Sequence, residues 1–283
     1  MVSGIKENPF LTPMQPIPTG MRPQGRLHLP VACLLCDVYG TLFISRSGEW
    51  TAQDNALRYR DKLIKLLQQY DIKMPLDDLL AQFRKAIGQS HARLIAAGNS
   101  HPEVVIEKVW QTCLPFDDMD QIKRFAVAYE TLTNPVWPMP HLLELLDYCR
   151  QSEIVLGIIS NAQFYTPHLF QWAFDRDLDQ LGFDLDLVIF SYQHTVAKPD
   201  SLLFSIACEK LQNHHITGRQ TVYIGNDMRN DMLPAHGAGF QTALFAGDKR
   251  SLRLREEDPQ CAAYQPDVIV TDMLQLISHL KAL

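Results

Sequence analysis

Residue types able to do chemistry gather at four short polar clusters, each just past an apolar run. VACLLC, residues 31–36, stops at Asp37 and turns at Gly40 and Thr41. IVLGII, residues 154–159, stops at Ser160 and Asn161. LVIF, residues 187–190, precedes HTVAKPD with Lys198, and TVYI, residues 221–224, precedes GNDMRND with Asp227 and Asp231. A carboxylate such as Asp37, held against an apolar wall, can attack an electrophilic phosphorus and form an aspartyl-phosphate. Lys198, Thr41 and Ser160, with Asn161 beside them, can hold the non-bridging oxygens as charge shifts. Clustered carboxylates with a phosphate between them suit Mg²⁺, a hard ion that prefers oxygen ligands. That makes Asp37, Asp227 and Asp231 candidate ligands.

Taken singly, each cluster has an ordinary explanation: a turn at Ser160-Asn161, a solvated loop lysine, two acids charging a helix start. Their recurrence in order, each after its own strand, is what points to one pocket. Apolar runs of this length bounded by turns suit buried strands of a parallel sheet. In open α/β sheets the carboxyl ends of such strands form the ligand-binding edge. Two further short runs, 243–245 and 268–270, alternate with helical patterns, so the chain is expected to form an α/β, doubly wound parallel sheet.

The stretch 47–135 reads differently. It carries helical periodicities at Leu63–Tyr70, at Leu76–Leu94 with a break expected near Gly88, after Pro102, and at Ile122–Tyr129, with no strand-like run. An all-helical insertion directly after the first strand would hang over that strand's carboxyl end as a lid. Residues 1–30, with six prolines, read as an extended or disordered arm. The core is then 31–46 and 136–283.

A net charge of −6 disfavours a general nucleic-acid binder. No apolar run is long enough to span a bilayer, and the N-terminus lacks signal-peptide regions, so a cytoplasmic protein acting on a small-molecule substrate is expected. The six cysteines are scattered; Cys33 and Cys36 form a lone C-x-x-C that reads as strand packing. Oligomeric state is left open.

The ordered set DVYGTLF, IISNAQ, VAKPD and YIGNDMRND resembles the haloacid dehalogenase-like (HAD) hydrolase superfamily, and the helical insertion is similar to its C1-type cap. The resemblance covers about residues 31–46 and 136–250 and implies a Rossmann-like core. It implies that Asp37 is the nucleophile, Tyr39 lends its main-chain carbonyl to Mg²⁺, Thr41 and Ser160 bind the transferred group, Lys198 steadies its charge, and the acids of the last motif complete the metal site. A Mg²⁺-dependent phosphatase acting on a small phosphomonoester is the expectation. Two departures bear on it. Tyr39 stands where phosphatases of the superfamily carry a second Asp as general acid and base, and D-x-Y-G-T is similar to the metal-free 2-haloacid dehalogenases. Against that, Asp227 and Asp231 stand where the dehalogenase branch is neutral, and Asn226 takes the place of the first acid, leaving open whether Asn226 or Asp227 faces the metal. The alternatives are therefore a 2-haloacid dehalogenase and a catalytically weak fold that serves as a binding protein.

Overall fold

A computed structural model describes residues 10–28, 30–46 and 58–281. Its centre is a seven-stranded sheet in the order β1-β9-β8-β7-β2-β5-β6. These strands are β1 (Gln24–Gly25), β2 (Cys33–Cys36), β5 (Val155–Ser160), β6 (Phe183–Phe190), β7 (Thr221–Gly225), β8 (Gln241–Phe245) and β9 (Val268–Val270). All pairs are parallel except β1 with β9. β2 lies in the middle, with both faces buried, which is why it reads as an unbroken apolar run. From β2 the chain moves to β5 and β6 on one side and later returns to β7 on the other, so a switch point falls at β2. The register sets Cys36 level with Ile158 and Ile224, which brings the residues that follow all three strands to one edge.

Helices α5 (Leu142–Gln151), α6 (Thr166–Phe174), α7 (Leu202–Asn213) and α8 (Met273–Lys281) cover the sheet. Cys36 packs in the core on one face and Cys33 in the core on the other, as expected for strand residues three apart. Both are free and fully buried, and burial pushes their thiols up, so they act as packing groups.

Between β2 and β5 stand β3 (Phe43–Ser45) and β4 (Val136–Pro138), which pair antiparallel, and the helices α1 (Arg60–Gln69), α2 (Leu76–Ala96), α3 (Ile106–Gln111) and α4 (Met119–Thr133). The helices share a core of their own, built on Leu63, Leu79, Trp110, Ile122 and Phe125. Two expectations are corrected here. α2 runs unbroken through Gly88, where nothing crowds the backbone. Pro102 does not open a helix; it bridges to Val196, and α3 starts at Ile106. The two strands flanking the insertion were not legible as such, since each is three residues long.

The proline-rich arm is ordered over its described part. Leu11, Met14 and Leu27 are buried in the core, and the arm donates from Ile17 N to Asp248 Oδ1 (3.0 Å) and from Thr19 Oγ1 to the Ala246 carbonyl (2.7 Å). It adds the antiparallel edge strand β1 to a sheet expected to be parallel throughout. Among the described residues no helix is long and apolar enough to cross a membrane.

Candidate active site

Asp37 continues the β2 ladder, donating its N–H to the Ile224 carbonyl at 2.9 Å. The chain then turns at Gly40, whose φ of 86° favours glycine and whose missing Cβ would lie 2.5 Å from the Ser251 Cβ. This turn aims the Asp37 carboxylate along the sheet edge. Its Oδ1 accepts from Ser160 Oγ at 2.9 Å and from Lys198 Nζ at 2.8 Å, while Oδ2 receives only a long 3.5 Å approach from Thr41 Oγ1. One carboxylate oxygen is thus fixed, and the other is held loosely.

Lys198 is fully enclosed, and its position rests on Asn161. The Asn161 amide accepts from Lys198 N (2.7 Å) and donates to Lys198 O (3.2 Å). Asn161, expected to bind substrate, clamps the lysine's backbone with its side chain and also lines the cavity bordered by Tyr39. Nζ of Lys198 donates to Asp37 Oδ1, to Asp231 Oδ1 (2.6 Å), to Tyr223 OH (2.9 Å) and to the Ile159 carbonyl (3.3 Å). Burial pulls its pKa down, but Asp231 and Asp37 more than offset this, so the net shift is upward and the ammonium stays charged.

Asp231 reaches this lysine because residues Met228–Met232 form a π-helical turn, which folds its carboxylate back beneath the end of β7. There Oδ2 accepts from the main-chain N–H groups of Asn226 (3.0 Å) and Asp227 (2.9 Å). Glycine at 225 permits the approach, since a Cβ there would stand 2.5 Å from that carboxylate. Burial raises the Asp231 pKa to about 6, with Lys198 opposing.

Asp227 does not join the cluster. Its Oδ1 caps the turn, accepting from the N–H groups of Arg229 (2.9 Å) and Asn230 (3.2 Å), and its Oδ2 is paired with Arg255 at 2.7 Å. Asn226 faces the site instead, accepting from Thr41 Oγ1 at 3.0 Å and donating to the Ser251 carbonyl at 2.6 Å. The set Asp37, Tyr39, Asp227 and Asp231 is therefore not assembled as expected. Among the described residues no three acidic, histidine or cysteine side chains converge on one ion. Both Asp231 oxygens already serve an ammonium and two amides, and Asp227 serves Arg255. The side-chain oxygens still facing the edge are Asp37 Oδ2 and Asn226 Oδ1, each within 3.5 Å of Thr41 Oγ1. An all-oxygen pair fits Mg²⁺ chemically, but with one carboxylate in place of three.

Tyr39 is partly buried, its hydroxyl 3.1 Å from Thr166 Oγ1, and desolvation pushes the phenol well above its usual range. It borders a cavity of about 250 Å³ between the sheet edge and the helical insertion, lined also by Glu103, Glu130, Asn134, Asn161, Ala162, Gln163 and Tyr165. Glu130, near the end of α4, shares hydrogen bonds with Asn134 and Tyr165, and burial raises its pKa. Tyr223 and Glu130 were missed in the sequence. A phenol inside a buried strand needs a polar partner, so Tyr223 carried a signal; Glu130 lies on an amphipathic helix and carried none.

Known structures share the fold, and a family sequence model matches most of the chain. The architecture is similar to a 2-haloacid dehalogenase from Pseudomonas syringae pv. Tomato DC3000, with a TM-score of 0.54, 15% identity, and coverage of 89% of this chain and 99% of that one. It is also similar to the L-2-haloacid dehalogenase of Xanthobacter autotrophicus with chloropropionic acid covalently bound, at a TM-score of 0.53, 17% identity, and coverage of 89% and 99%. A curated relative, the Rhythmically expressed gene 2 protein of Drosophila melanogaster, is 32% identical over 117 residues, which is 40% of this chain and 43% of that protein's length. The sequence model described as "Hydrolase: haloacid dehalogenase-like hydrolase" matches residues 31–239, most of the chain, and the protein belongs to that family.

Proposed function

We propose that this hydrolase cleaves a small phosphomonoester through an aspartyl-phosphate on Asp37. The observation that carries the reading is the asymmetry of the Asp37 carboxylate: Oδ1 is held by Ser160 and Lys198, and Oδ2 is left to attack. As Oδ2 bonds to phosphorus the ester oxygen leaves, and Lys198 offsets the developing negative charge. Water then displaces Asp37 from phosphorus and restores the carboxylate.

Charge balance favours a metal in this chemistry. Asp37, Asp231 and Lys198 together sum to one negative charge, so a phosphoryl group approaching them needs a further cation. Asp37, Asn226 and the Tyr39 carbonyl would hold Mg²⁺, which would neutralise the phosphoryl oxygens. With one carboxylate among its ligands, the ion is expected to bind weakly and to tighten with substrate.

The second reading, a 2-haloacid dehalogenase, draws on Tyr39 and on the Lys198–Asp231 pair, which needs no metal to satisfy it. It is disfavoured by the cavity lining, which offers no basic side chain among the described residues to the substrate's own carboxylate. Hydrolysis of p-nitrophenyl phosphate across a Mg²⁺ titration tests the first reading, and chloride release from 2-chloropropionate without metal tests the second. Turnover of the haloacid alone would replace the proposal. Turnover of neither, with a ligand still bound, would favour a binding role.

A further inference from the structure

A phosphomonoester whose alcohol is a poor leaving group needs a proton at the departing oxygen, and no side chain touching Asp37 can give one. Ser160 and Thr41 are alcohols already donating to neighbours, and Lys198 holds its protons between two carboxylates. Both oxygens of Asp231 are already taken, Oδ1 by Lys198 and Tyr223 and Oδ2 by two main-chain amides. The Tyr39 phenol points to Thr166 and is held well above its ordinary pKa. The donor must come from the cavity wall facing the site.

Among the described residues that wall holds two carboxyl groups. Glu103 is tied on both oxygens, by Val104 N (2.9 Å) and Gln163 Nε2 (3.3 Å) on Oε1 and by Ser191 Oγ (2.8 Å) on Oε2. Those bonds pin the insertion to the core and leave Glu103 a structural role. Glu130 is held by fewer partners, Asn134 Nδ2 on Oε1 and Tyr165, and no cation among the described residues neutralises it. It borders the same cavity as Tyr39 and Asn161, the residues that follow the nucleophile and Ser160. It lies six residues before β4, at the base of the insertion. Burial favours its protonated form, which is the form an acid needs.

Resting on the phosphatase reading above, we infer that Glu130 is the acid and base of the reaction, supplied from the helical insertion across the cavity it shares with Tyr39. In the first step the Asp37 Oδ2–phosphorus bond forms and the phosphorus–ester oxygen bond breaks. The electron pair stays on the departing oxygen, which takes the Glu130 proton and leaves as the alcohol. In the second step the Glu130 carboxylate takes a proton from water as the water oxygen bonds to phosphorus. Asp37 leaves as carboxylate, phosphate departs, and the Glu130 proton is restored.

The test compares Glu130→Gln with the unsubstituted protein on an alkyl phosphate and on p-nitrophenyl phosphate, both with Mg²⁺, with thermal unfolding to establish folding. Loss of a general acid is expected to lower turnover of the alkyl ester by about 100-fold or more. The aryl ester, whose phenolate leaves without a proton, should form the phosphoenzyme normally. The variant should then release a burst of about one equivalent of p-nitrophenol and stall, because the base of the second step is missing. Glu130→Asp, which keeps the acid on a shorter stem, should recover part of the alkyl turnover. Equal losses on both esters without a burst would overturn the assignment and make Glu130 a packing residue, as would full alkyl activity in Glu130→Gln. Failure of the unsubstituted protein to cleave either ester is a different result: it removes the phosphatase reading itself.

Discussion

The two sides of the Asp37 site are built on different principles. The sheet side is saturated: Ser160, Lys198, Tyr223, Asp231 and two main-chain amides form one closed network with bonds between 2.6 and 3.3 Å. The side facing the helices is open. Its carboxyl groups stand around a cavity that Tyr39 also lines, and Glu130 has no cationic partner among the described residues. A saturated network holds a nucleophile in one geometry; an open, acidic wall leaves room for a leaving group and chooses among them. The difference suggests that the reaction class resides in the strands and the substrate class in the insertion.

The comparison breaks most completely at Asp37. Asp37→Asn keeps the shape and the Ser160 contact but removes the attacking charge, so turnover should fall by roughly three or more orders of magnitude with the fold intact. Steady-state rates together with circular dichroism check this. Near-normal rates would move the chemistry off the sheet edge.

Lys198 is the next largest. Lys198→Met leaves Asp37 and Asp231 buried without their shared cation, and breaking such a pair from one side typically costs about 3–5 kcal/mol. Adding Asp231→Asn should return part of that stability but none of the activity, a result readable in urea unfolding. The pair also has a pH signature. Burial holds Asp231 at about 6 in the folded chain, against an ordinary 3.8. Between those values the folded chain binds a proton that the unfolded chain does not. This group therefore favours folding most below about pH 4, and its contribution is lost as pH rises through 6. The stability difference between the unsubstituted protein and Asp231→Asn should shrink across that window and then level off.

The same contrast explains what could be read in the sequence. Asp37, Ser160 and Lys198 were legible because each follows an apolar run, and a parallel sheet must bring the ends of its strands together. The acids of the last motif were only half legible. A spacing of four puts Asp227 and Asp231 on one face of an α-helix, but the wider π turn separates them, sending one to Lys198 and the other to Arg255. Glu130 was illegible because helical periodicity identifies the stripe that packs, here Ile122, Phe125 and Ala126. It says nothing about which neighbouring position faces a cavity made by another part of the chain.

Asn226 offers a way to sharpen the metal reading. It points at Thr41 beside Asp37 Oδ2, where a second carboxylate would add charge to an oxygen pair that now has one. Asn226→Asp should lower the Mg²⁺ concentration for half-maximal activity by about tenfold, since affinity in such sites follows ligand charge. An unchanged metal requirement would separate Asn226 from the ion.

The smallest effect is expected at Asp227, and it decides whether the two acids of this turn differ in role. Asp227 caps two N–H groups at the start of the π turn and pairs with Arg255, whose side chain is 30% exposed. Asp227→Ala removes a cap worth about 1 kcal/mol and a partly screened ion pair worth less. Since Asp231 is anchored by main-chain amides and Lys198, the turn should keep its shape. Turnover and metal requirement should therefore stay within about threefold, with a small drop in unfolding midpoint that Arg255→Ala reproduces in part. A hundredfold loss of activity in Asp227→Ala, with Arg255→Ala unaffected, would mean that Asp227 leaves Arg255 to reach the ion during turnover. The saturated side of the site would then be less fixed than its hydrogen bonds imply.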